Sequence, residues 1–429
     1  MRRVLIVTGS YAPTIIADMH RARQLAWQLP ECGWEAEIFC PDVAYQPPSC
    51  NDADGAEFFA PAVPVHAAPP HVPGLFRALG VGNIGLRALA PMLRAGRDLL
   101  AARPFDLVYF STAQWPLFLL GPAWRRRFGI PYVLDLHDPA VPRASTLPRG
   151  LKHRLGERVS GYIEARAVAA ASGLIAVSPQ YLELLRVRYA QAKPDWLAPG
   201  RQAVIPFGVR PTDLEEASRG TARQGKAVPG PKQIVYVGTG GPIMARSFAL
   251  LCRALARLRS ERPHLLAGVR IELHGTAGAL ADRATADLAD IAKKSGVADL
   301  VVEHPARVTY RRSLELLLES AGALVLGVDD PGYMPSKLFT YAYSGKPLLA
   351  CVRRDGPALA ALRAQPGLGH ALWFAEHDEM PLDDAAAVVA DFLVEVAAGR
   401  AFPRQADLAP YTSAAMARRH AELFDACLA

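Results

Sequence analysis

The feature that most constrains the fold of this chain is an alternation of strand-like apolar runs with amphipathic helical segments. Arg3–Val7, Asp106–Ser111 and Tyr132–Leu136 are short apolar runs, whereas Asp18–Leu29 places its apolar residues at helical spacing. Strands that are apolar throughout are typical of parallel sheets covered by helices on both faces. The alternation therefore predicts an α/β architecture with doubly wound sheets.

The alternation is interrupted once, which suggests two domains. Residues 210–232 are polar and rich in glycine, proline and charge, so we predict a linker there. It would join a Rossmann-like domain at residues 1–209 to a second one at residues 233–410. Residues 411–429 are predicted to form a helix that packs back on the first domain. Ligands of open α/β sheets bind at the carboxyl ends of the strands, so we expect these ends to face one another across a cleft.

The composition excludes several classes of protein. Hydrophobic residues make up 51% and charged residues 21% of the 429 residues, as in ordinary globular proteins. No apolar run reaches the roughly 18 residues of a membrane-spanning helix, and the first apolar run is too short for a signal peptide. The six cysteines lack C-x-x-C spacing, as expected for reduced thiols. We therefore expect a cytoplasmic protein rather than a secreted, zinc-ribbon or integral membrane protein.

Positive charge is concentrated in the first domain. The segment His71–Val168 contains fourteen Lys and Arg against six Asp and Glu, whereas the whole chain has a net charge of only +7. This excess predicts a surface that attracts phosphorylated substrates or anionic lipid. The alternative is a solvated face in an arginine-rich protein. Aromatic residues are not interleaved with the basic ones, so nucleic acid is not predicted as a partner.

Candidate site residues follow the predicted strands of the first domain. Gly9 ends the first strand without the remaining glycines of G-x-G-x-x-G, so a nicotinamide dinucleotide is not predicted there. Arg21 lies near the start of the next helix, where a cation opposes the helix dipole; it indicates an anionic ligand or a salt bridge, with Asp18 nearby. His137 and Asp138 end another strand, where acid–base groups are useful, although a histidine there is often structural.

The second domain contains a glycine-rich turn and a lysine that suggest a phosphate site. Gly238-Thr239-Gly240 follows a predicted strand, and backbone amides in such a turn can approach a phosphate closely. Arg246 follows near the start of the next helix. Ser336 and Lys337 are predicted to open a later helix, where Lys337 would bind a diphosphate. The alternative is that Lys337 points to solvent or pairs with Asp329 or Asp330.

Taken together, these motifs resemble the GT-B glycosyltransferases. The similarity is carried by "VLIVTGSYAPT", "HRARQLAWQL", "GIPYVLDLHDP", "VIPFGV", "IVYVGT" and "MPSKLFTYAYSGKPLLA", in this order along the chain. It is greatest to glycosyltransferase family 4, in the branch that contains O-antigen and capsule sugar transferases. That branch typically has P-S-K-x-x-E-Y-x-x-x-G-K-P where this chain has the last of these motifs.

The resemblance implies that a sugar is transferred from a nucleotide-diphosphate donor to a glycan, lipid-linked or small-molecule acceptor. It implies a retaining, metal-independent hexosyltransferase without a cofactor, active in surface polysaccharide or glycoconjugate synthesis. His137 matches the family histidine near the transferring sugar, and Asp138 is the second catalytic candidate. Gly238 and Lys337 match donor-binding positions, and Thr239, Gly240, Arg246, Ser336 and Thr340 complete the predicted donor side. Gly9 and Arg21 would lie on the acceptor or phosphate side. A protein of this kind would lie in the cytoplasm or at the inner face of the membrane.

The chain departs from the family pattern at several positions. The paired acidic residues of the family are replaced by Gly332 and Thr340, and Thr239 stands where an arginine is common. The second acidic residue normally holds the ribose, and a threonine does this only weakly. Two alternatives therefore remain at this stage. One is a nucleotide-sugar 2-epimerase of the same architecture, and the other is a degenerate binding protein without turnover.

Overall fold

A computed structural model of the protein describes residues 1–47, 50–52, 58, 63–72, 74, 83–140, 150–223, 230–279, 286–399 and 406–429. The chain divides into two compact units. The first unit comprises Met1–Gly208 together with Ser413–Ala429, and the second comprises Val209–Thr412. Among the described residues, no helix combines the length and apolarity needed to cross a membrane.

The first unit is built on a seven-stranded parallel sheet of order β3-β2-β1-β4-β5-β6-β7. Its strands are β1 (Arg2–Thr8), β2 (Trp34–Pro41), β3 (Val65–Ala68), β4 (Leu107–Ser111), β5 (Tyr132–Leu136), β6 (Gly173–Ala176) and β7 (Gln202–Val204). Every residue of β4, β5 and β6 is buried, as expected for strands covered on both faces. The order places β1, β4 and β5 side by side, so their carboxyl ends lie together.

Helices cover this sheet. They are α1 (Ala17–Gln28), α2 (Ile84–Ala102), α3 (Leu120–Phe128), α4 (Leu151–Val168), α5 (Pro179–Tyr189) and, at the C-terminus, α13 (Ser413–Leu428). Local sequence explains where two of them begin. The side chain of Asn83 accepts a hydrogen bond from the amide of Leu86 at the start of α2, and Ser178 does the same for the amide of Tyr181 in α5.

The second unit has a six-stranded parallel sheet of order β10-β9-β8-β11-β12-β13. The strands are β8 (Lys232–Val237), β9 (Val269–Ala279), β10 (Val301–Ala306), β11 (Gly322–Leu326), β12 (Leu348–Arg353) and β13 (His370–Phe374). The helices are α6 (Pro211–Arg223), α7 (Ala245–Glu261), α8 (Ala289–Lys294), α9 (Tyr310–Glu319), α10 (Leu338–Tyr343), α11 (Pro357–Ala364) and α12 (Leu382–Ala398). An apolar core of the described residues includes side chains of β8, β11 and α7, and it contains Phe248, Leu324 and Phe392.

The predicted linker at residues 210–232 is largely a helix. Pro211–Arg223 forms α6, with Leu214 and Ala217 buried and Asp213 in the first turn. A Cβ atom at Gly220 would lie 3.3 Å from Glu315 Oε1 of α9, so this helix packs closely on its neighbour. The linker prediction is wrong for α6, whose polar and charged composition resembles that of a linker although Leu214 and Ala217 are buried. Residues 224–229 lie outside the described residues, and Lys232 already belongs to β8.

The C-terminal helix α13 completes the first unit. Its buried residues Met416, Ala417 and Phe424 belong to the same core cluster as Met19 and Leu25 of α1. The Phe424 ring also lies edge-on to Trp34, with ring centroids 5.4 Å apart. The sheet of the first unit therefore depends on a helix that follows the whole second unit in sequence.

Candidate functional site

In the first unit, the ends of β1 and β4 meet around Gly9. A Cβ atom at Gly9 would lie 2.8 Å from Thr112 Oγ1 and 3.1 Å from Asp18 Oδ2. Glycine is therefore required here by the close approach of two polar side chains. The N-cap of α1 is Ile16, and Asp18 lies in the first turn of this helix.

Asp18 is a buried carboxyl group that sequence reasoning did not assign to the site. It accepts a hydrogen bond from Thr112 Oγ1 at 3.2 Å. Burial raises the pKa of Asp18, and the nearby imidazole of His137 opposes part of this rise. A carboxyl group of this kind exchanges a proton more readily near neutral pH than an exposed one does. The sequence feature that could have identified Asp18 is its position at the start of the helix that follows the first strand, near the end of the sheet where ligands bind.

His137 and Asp138 follow β5 but have different surroundings. His137 is only 7% exposed, and its Nε2 lies 3.5 Å from Ser111 Oγ and 3.6 Å from Asp135 Oδ2. Its ring packs edge-on against Phe207. Asp138 is exposed, and its backbone oxygen accepts a hydrogen bond from Trp115 Nε1 at 3.0 Å. The structure thus holds the histidine from several sides and leaves the Asp138 residue open to solvent.

A buried network surrounds Asp135, directly behind His137. Asp135 Oδ2 accepts hydrogen bonds from Arg21 Nε at 2.5 Å and from the Tyr109 hydroxyl, and His420 Nε2 of α13 lies 3.7 Å away. Burial alone would raise the pKa of Asp135, but Arg21 and His137 hold it well below its usual range. Asp135 is therefore a carboxylate. Sequence spacing did not indicate this network because its members are far apart along the chain.

Arg21 belongs to this network and not to a ligand site. It is 1% exposed, and its guanidinium also donates to the backbone oxygens of Pro206 and Ile205 at 2.9 Å each. This corrects the assignment of Arg21 to the acceptor or phosphate side. Of the two alternatives drawn from the sequence, the structure has the salt bridge, and the partner is Asp135 rather than Asp18. A cation in the first turns of α1 is stable there because a buried carboxylate faces it.

In the second unit, the glycine turn after β8 is closed by β9. The amide of Gly238 donates to the backbone oxygen of His274 at 2.9 Å, and the amide of Gly240 donates to that of Thr276 at 3.0 Å. These two amides are thus occupied within the protein. This corrects the expectation that they approach a phosphate. Thr239, between them, is exposed.

Lys337 reaches the same turn. Its Nζ donates to the backbone oxygen of Val237, the last residue of β8, at 2.5 Å, and a Cβ atom at Gly238 would lie 2.5 Å from it. The residue as a whole is exposed. Desolvation of the ammonium group against the turn, with repulsion from Arg307, lowers the pKa of Lys337 to about 8. The Lys337 ammonium therefore contacts the end of β8, which neither of the two alternatives anticipated.

Asp329 pairs with Arg246 instead of Lys337. The Arg246 guanidinium donates to Asp329 Oδ2 and to the backbone oxygen of Glu376, both at 2.9 Å. Arg353 also pairs with Asp329. Arg246 is one-third exposed, so its charge is partly compensated and still reaches solvent.

The remaining donor-side candidates lie in the segment that leads into α10. Lys337 is the N-cap of α10, and Ser336 and Thr340 on either side of it are half-buried. Tyr341 anchors the helix, because its hydroxyl accepts from the amide of Val237 at 3.0 Å and donates to the backbone oxygen of Val237 at 3.1 Å. Ser336, Lys337 and Thr340 are thereby held close to the end of β8.

Comparison with known proteins finds a similarity that covers most of residues 1–208. Residues 20–208 match the glycosyl transferase 4-like domain. The chain is 29% identical over 211 residues to a D-inositol 3-phosphate glycosyltransferase of Nocardiopsis dassonvillei, covering 48% of this chain and 46% of that protein. It is 25% identical over 305 residues to the enzyme of that name from Streptosporangium roseum, covering 68% of this chain and 62% of that protein. The chain thus spans about half to three fifths of the length of these relatives.

The fold is also shared with solved structures. The HepE protein of Anabaena in complex with UDP-glucose superimposes with a TM-score of 0.62 at 16% identity, covering 99% of this chain and all of that one. At this identity the likeness concerns the fold. It confirms the prediction of two parallel-sheet α/β domains of the GT-B class.

Proposed function

We propose that this chain, a family 4-like protein of the GT-B fold, is a glycosyltransferase that moves a sugar from a nucleotide-diphosphate donor to an acceptor. The O-antigen and capsule branch, the hexosyl type of the donor and the retaining outcome are further parts of this proposal. The acceptor is a glycan, a lipid-linked molecule or a small molecule.

The observation that carries the proposal is the position of Lys337. Its ammonium group lies against the glycine turn at the carboxyl end of β8, the edge where ligands of parallel sheets bind. A lysine at this edge is suited to bind a diphosphate, and the Lys337 residue as a whole is exposed. When the sugar–phosphate bond breaks, negative charge develops on the leaving diphosphate, and a fixed cation stabilises it. Arg246, one-third exposed beside Asp329, is the second candidate for this role.

The first unit supplies the acceptor side in this proposal. His137 is held by packing against Phe207 and by Ser111, so its ring has a defined orientation. Asp138 is exposed next to it and is proposed to contact the acceptor. No resident cofactor or metal ion is proposed for the transfer, since the positive charges above would neutralise the diphosphate. The complexes of HepE with UDP-glucose support a nucleotide sugar as the donor class.

The first test is a thermal-shift experiment with UDP, GDP, dTDP, CMP, ADP and NAD. A ligand at a hundred times its dissociation constant adds about 2.7 kcal/mol to the free energy of unfolding. We expect stabilisation by one nucleoside diphosphate, loss of the effect in Lys337→Ala, and full retention in Lys293→Ala, an exposed lysine of the same unit. No response to any nucleotide, or an equal response of both variants, would contradict the proposal.

Turnover separates the transferase from the two alternatives. Release of nucleoside diphosphate that depends on an added acceptor identifies a transferase. Interconversion of two nucleotide sugars would identify an epimerase, and binding without either reaction would identify a degenerate protein, as Thr340 in place of an acidic residue allows.

We also propose that the protein docks on an anionic membrane surface at the cytoplasmic face. Helix α4 exposes Leu155, Val159 and Tyr162, which are 62%, 46% and 63% exposed and share one face at i, i+4 and i+7. Arg154 and Arg158 are exposed beside them. Apolar side chains flanked by arginines suit the boundary between lipid headgroups and acyl chains, where each basic residue contributes about 1 kcal/mol.

Several residues of the basic segment lie outside the described residues, namely Arg77, Arg143 and Arg149. The docking proposal therefore rests on α4 alone. Co-sedimentation with vesicles containing phosphatidylglycerol tests it. We expect binding that weakens with added salt and is lost in Leu155→Glu/Tyr162→Glu. Val187→Glu, at a 72% exposed position of α5 in the same unit, is the matched control and should bind normally. Equal loss in the control would contradict a specific role of α4.

A further inference from the structure

Three potential metal ligands lie together on one face of the second sheet, at its β9–β10 edge. Glu272 and His274 are two residues apart on β9, so their side chains project to the same face. His304 of β10 is the register partner of His274. The three side chains therefore come together through strand pairing, although they are distributed over 33 residues of sequence.

Their geometry is compact. His304 Nε2 lies 2.7 Å from Glu272 Oε2, and the rings of His274 and His304 stack with centroids 4.5 Å apart and an interplanar angle of 10°. One ligand atom from each of the three residues lies within 4.8 Å of the other two. Glu272 is buried and the side chain of His304 is 48% exposed, so the cluster has a fixed base and an open side.

We propose that Glu272, His274 and His304 form a binding site for a divalent transition-metal ion of the Zn²⁺ class. Two imidazoles and one carboxylate are ligands that zinc prefers, and three protein ligands leave a fourth position for water. Mg²⁺ and Ca²⁺ take mainly oxygen ligands and do not match this set. Zinc-to-ligand bonds are about 2.0–2.2 Å long, so the three ligand atoms must move closer together when the ion binds. Rotation of the exposed His304 side chain permits this movement.

Neighbouring charges set the limits of this site. Arg270 NH1 lies 4.0 Å from Glu272 Oε1, and its side chain is 45% exposed, so it can turn into solvent when a cation binds. Arg312 of α9 also acts on His274, but its guanidinium lies 3.3 Å from Glu315 and 3.1 Å from Glu319. Two carboxylates compensate the charge of Arg312. Of these two arginines, Arg270 can move away from a dipositive ion at the cluster, and the charge of Arg312 is already compensated.

A bound ion would fix the middle of β9, beside the end of β8. The backbone oxygen of His274 holds the amide of Gly238 in the turn that Lys337 contacts. An ion that ties His274 to His304 stabilises the pairing of β9 with β10 next to this turn. The expected readout is thus a rise in melting temperature, which does not depend on the proposed sugar transfer.

The test uses the full chain after removal of metals with a chelator. Isothermal titration with ZnCl₂ should give one site per chain at micromolar concentration, with no heat for MgCl₂ beyond dilution, and the melting temperature should rise with Zn²⁺. His304→Ala and Glu272→Gln should each weaken binding at least tenfold. His377→Ala is the matched control, because this histidine side chain is 90% exposed and lies outside the cluster.

Two further measurements separate the cluster from other zinc ligands. Six free cysteines also bind zinc in principle, so the titration is repeated after alkylation of accessible thiols and should give the same stoichiometry. Co²⁺ substitution should produce a visible absorption band in the wild type and the alkylated protein, and a much weaker band in His304→Ala. Zinc binding that is unchanged in His304→Ala, or absent in the wild type at micromolar concentration, would overturn the proposal.

Discussion

At the scale of single residues, the ionisation of Lys337 controls the predicted donor site. The pKa of about 8 means that the ammonium is charged below pH 8 and neutral above it. If only the charged form binds a diphosphate, the apparent affinity falls with the charged fraction, about tenfold for each pH unit above the pKa. We therefore expect the affinity for the preferred nucleoside diphosphate to decrease between pH 8 and pH 9.5.

Calorimetric titration at several pH values measures this dependence. Lys337→Arg keeps a cation at all these pH values and should give a flatter profile, even if its affinity at pH 7 is lower. A wild-type affinity that is constant up to pH 9.5 would mean that Lys337 does not contact the diphosphate.

Gly238 limits the space around the same lysine. A methyl group at this position would lie 2.5 Å from Lys337 Nζ, and the φ of +158° at Gly238 is one that L side chains rarely adopt. Gly238→Ala should therefore weaken diphosphate binding several-fold and also lower the melting temperature. The comparison with Lys337→Ala is decisive, because the double variant should bind no more weakly than Lys337→Ala alone. Additive losses would show that the two residues act separately.

At the scale of secondary structure elements, β5 and α13 are linked by buried ionisable groups. Burial lowers the pKa of His420 below its usual value despite the nearby Asp135, so this imidazole is neutral in the folded protein. In the unfolded chain it takes up a proton below about pH 6.5. Unfolding is therefore favoured as the pH falls below about 6.5, because the unfolded state binds a proton that the folded state does not.

His420→Gln removes this dependence. The difference in free energy of unfolding between wild type and variant should shrink or reverse when the pH falls from 7.5 to 5. This difference should change by up to about 1.4 kcal/mol for each pH unit below 6.5. Hydrogen exchange of peptides from α13 reports on this helix directly. Asp135 acts in the same direction but only below about pH 4, where the unfolded chain protonates a carboxyl group whose pKa the folded protein holds well below its usual range. A pH-independent difference would show that folding does not lower the pKa of His420.

Sequence patterns identified elements well where burial is local. Tyr132–Leu136 was predicted as a strand and coincides with β5, and Arg3–Val7 lies within β1. Strands that are buried on both faces have continuous apolar sequences, so they can be predicted without knowing which strands they pair with. The helix α6 was missed because its composition is polar and charged, like that of a linker. The Gly238 amide was misassigned because its partner, the backbone oxygen of His274, is set by strand pairing and leaves no trace in local sequence.

At the scale of the whole molecule, the order of segments matters as much as the two sheets. The second unit is one continuous stretch, Val209–Thr412, whereas the first is assembled from residues 1–208 and 413–429. The sequence indicated two domains from the repeated alternation and a helix at residues 411–429. It did not reveal that this helix buries Phe424 against Trp34, or that His420 reaches Asp135, since both contacts span hundreds of residues.

This arrangement predicts different behaviour of the two parts when they are expressed separately. Residues 209–412 have their own apolar core and their own candidate donor site, so this fragment should unfold cooperatively and bind the nucleoside diphosphate that the full chain prefers. Residues 1–208 lack α13 and would expose the core surface that Met416 and Phe424 cover, so this fragment should aggregate or unfold far more easily.

Addition of a peptide with the sequence of residues 413–429 should restore a cooperative transition to the 1–208 fragment. A peptide with Phe424→Ala is the matched control, because loss of a buried phenylalanine costs about 3–5 kcal/mol and should prevent the rescue. Circular dichroism melting with and without peptide measures both effects. If the 1–208 fragment folds alone, α13 covers the first unit without completing its core, and the donor site of the second unit remains to be tested by the 209–412 fragment.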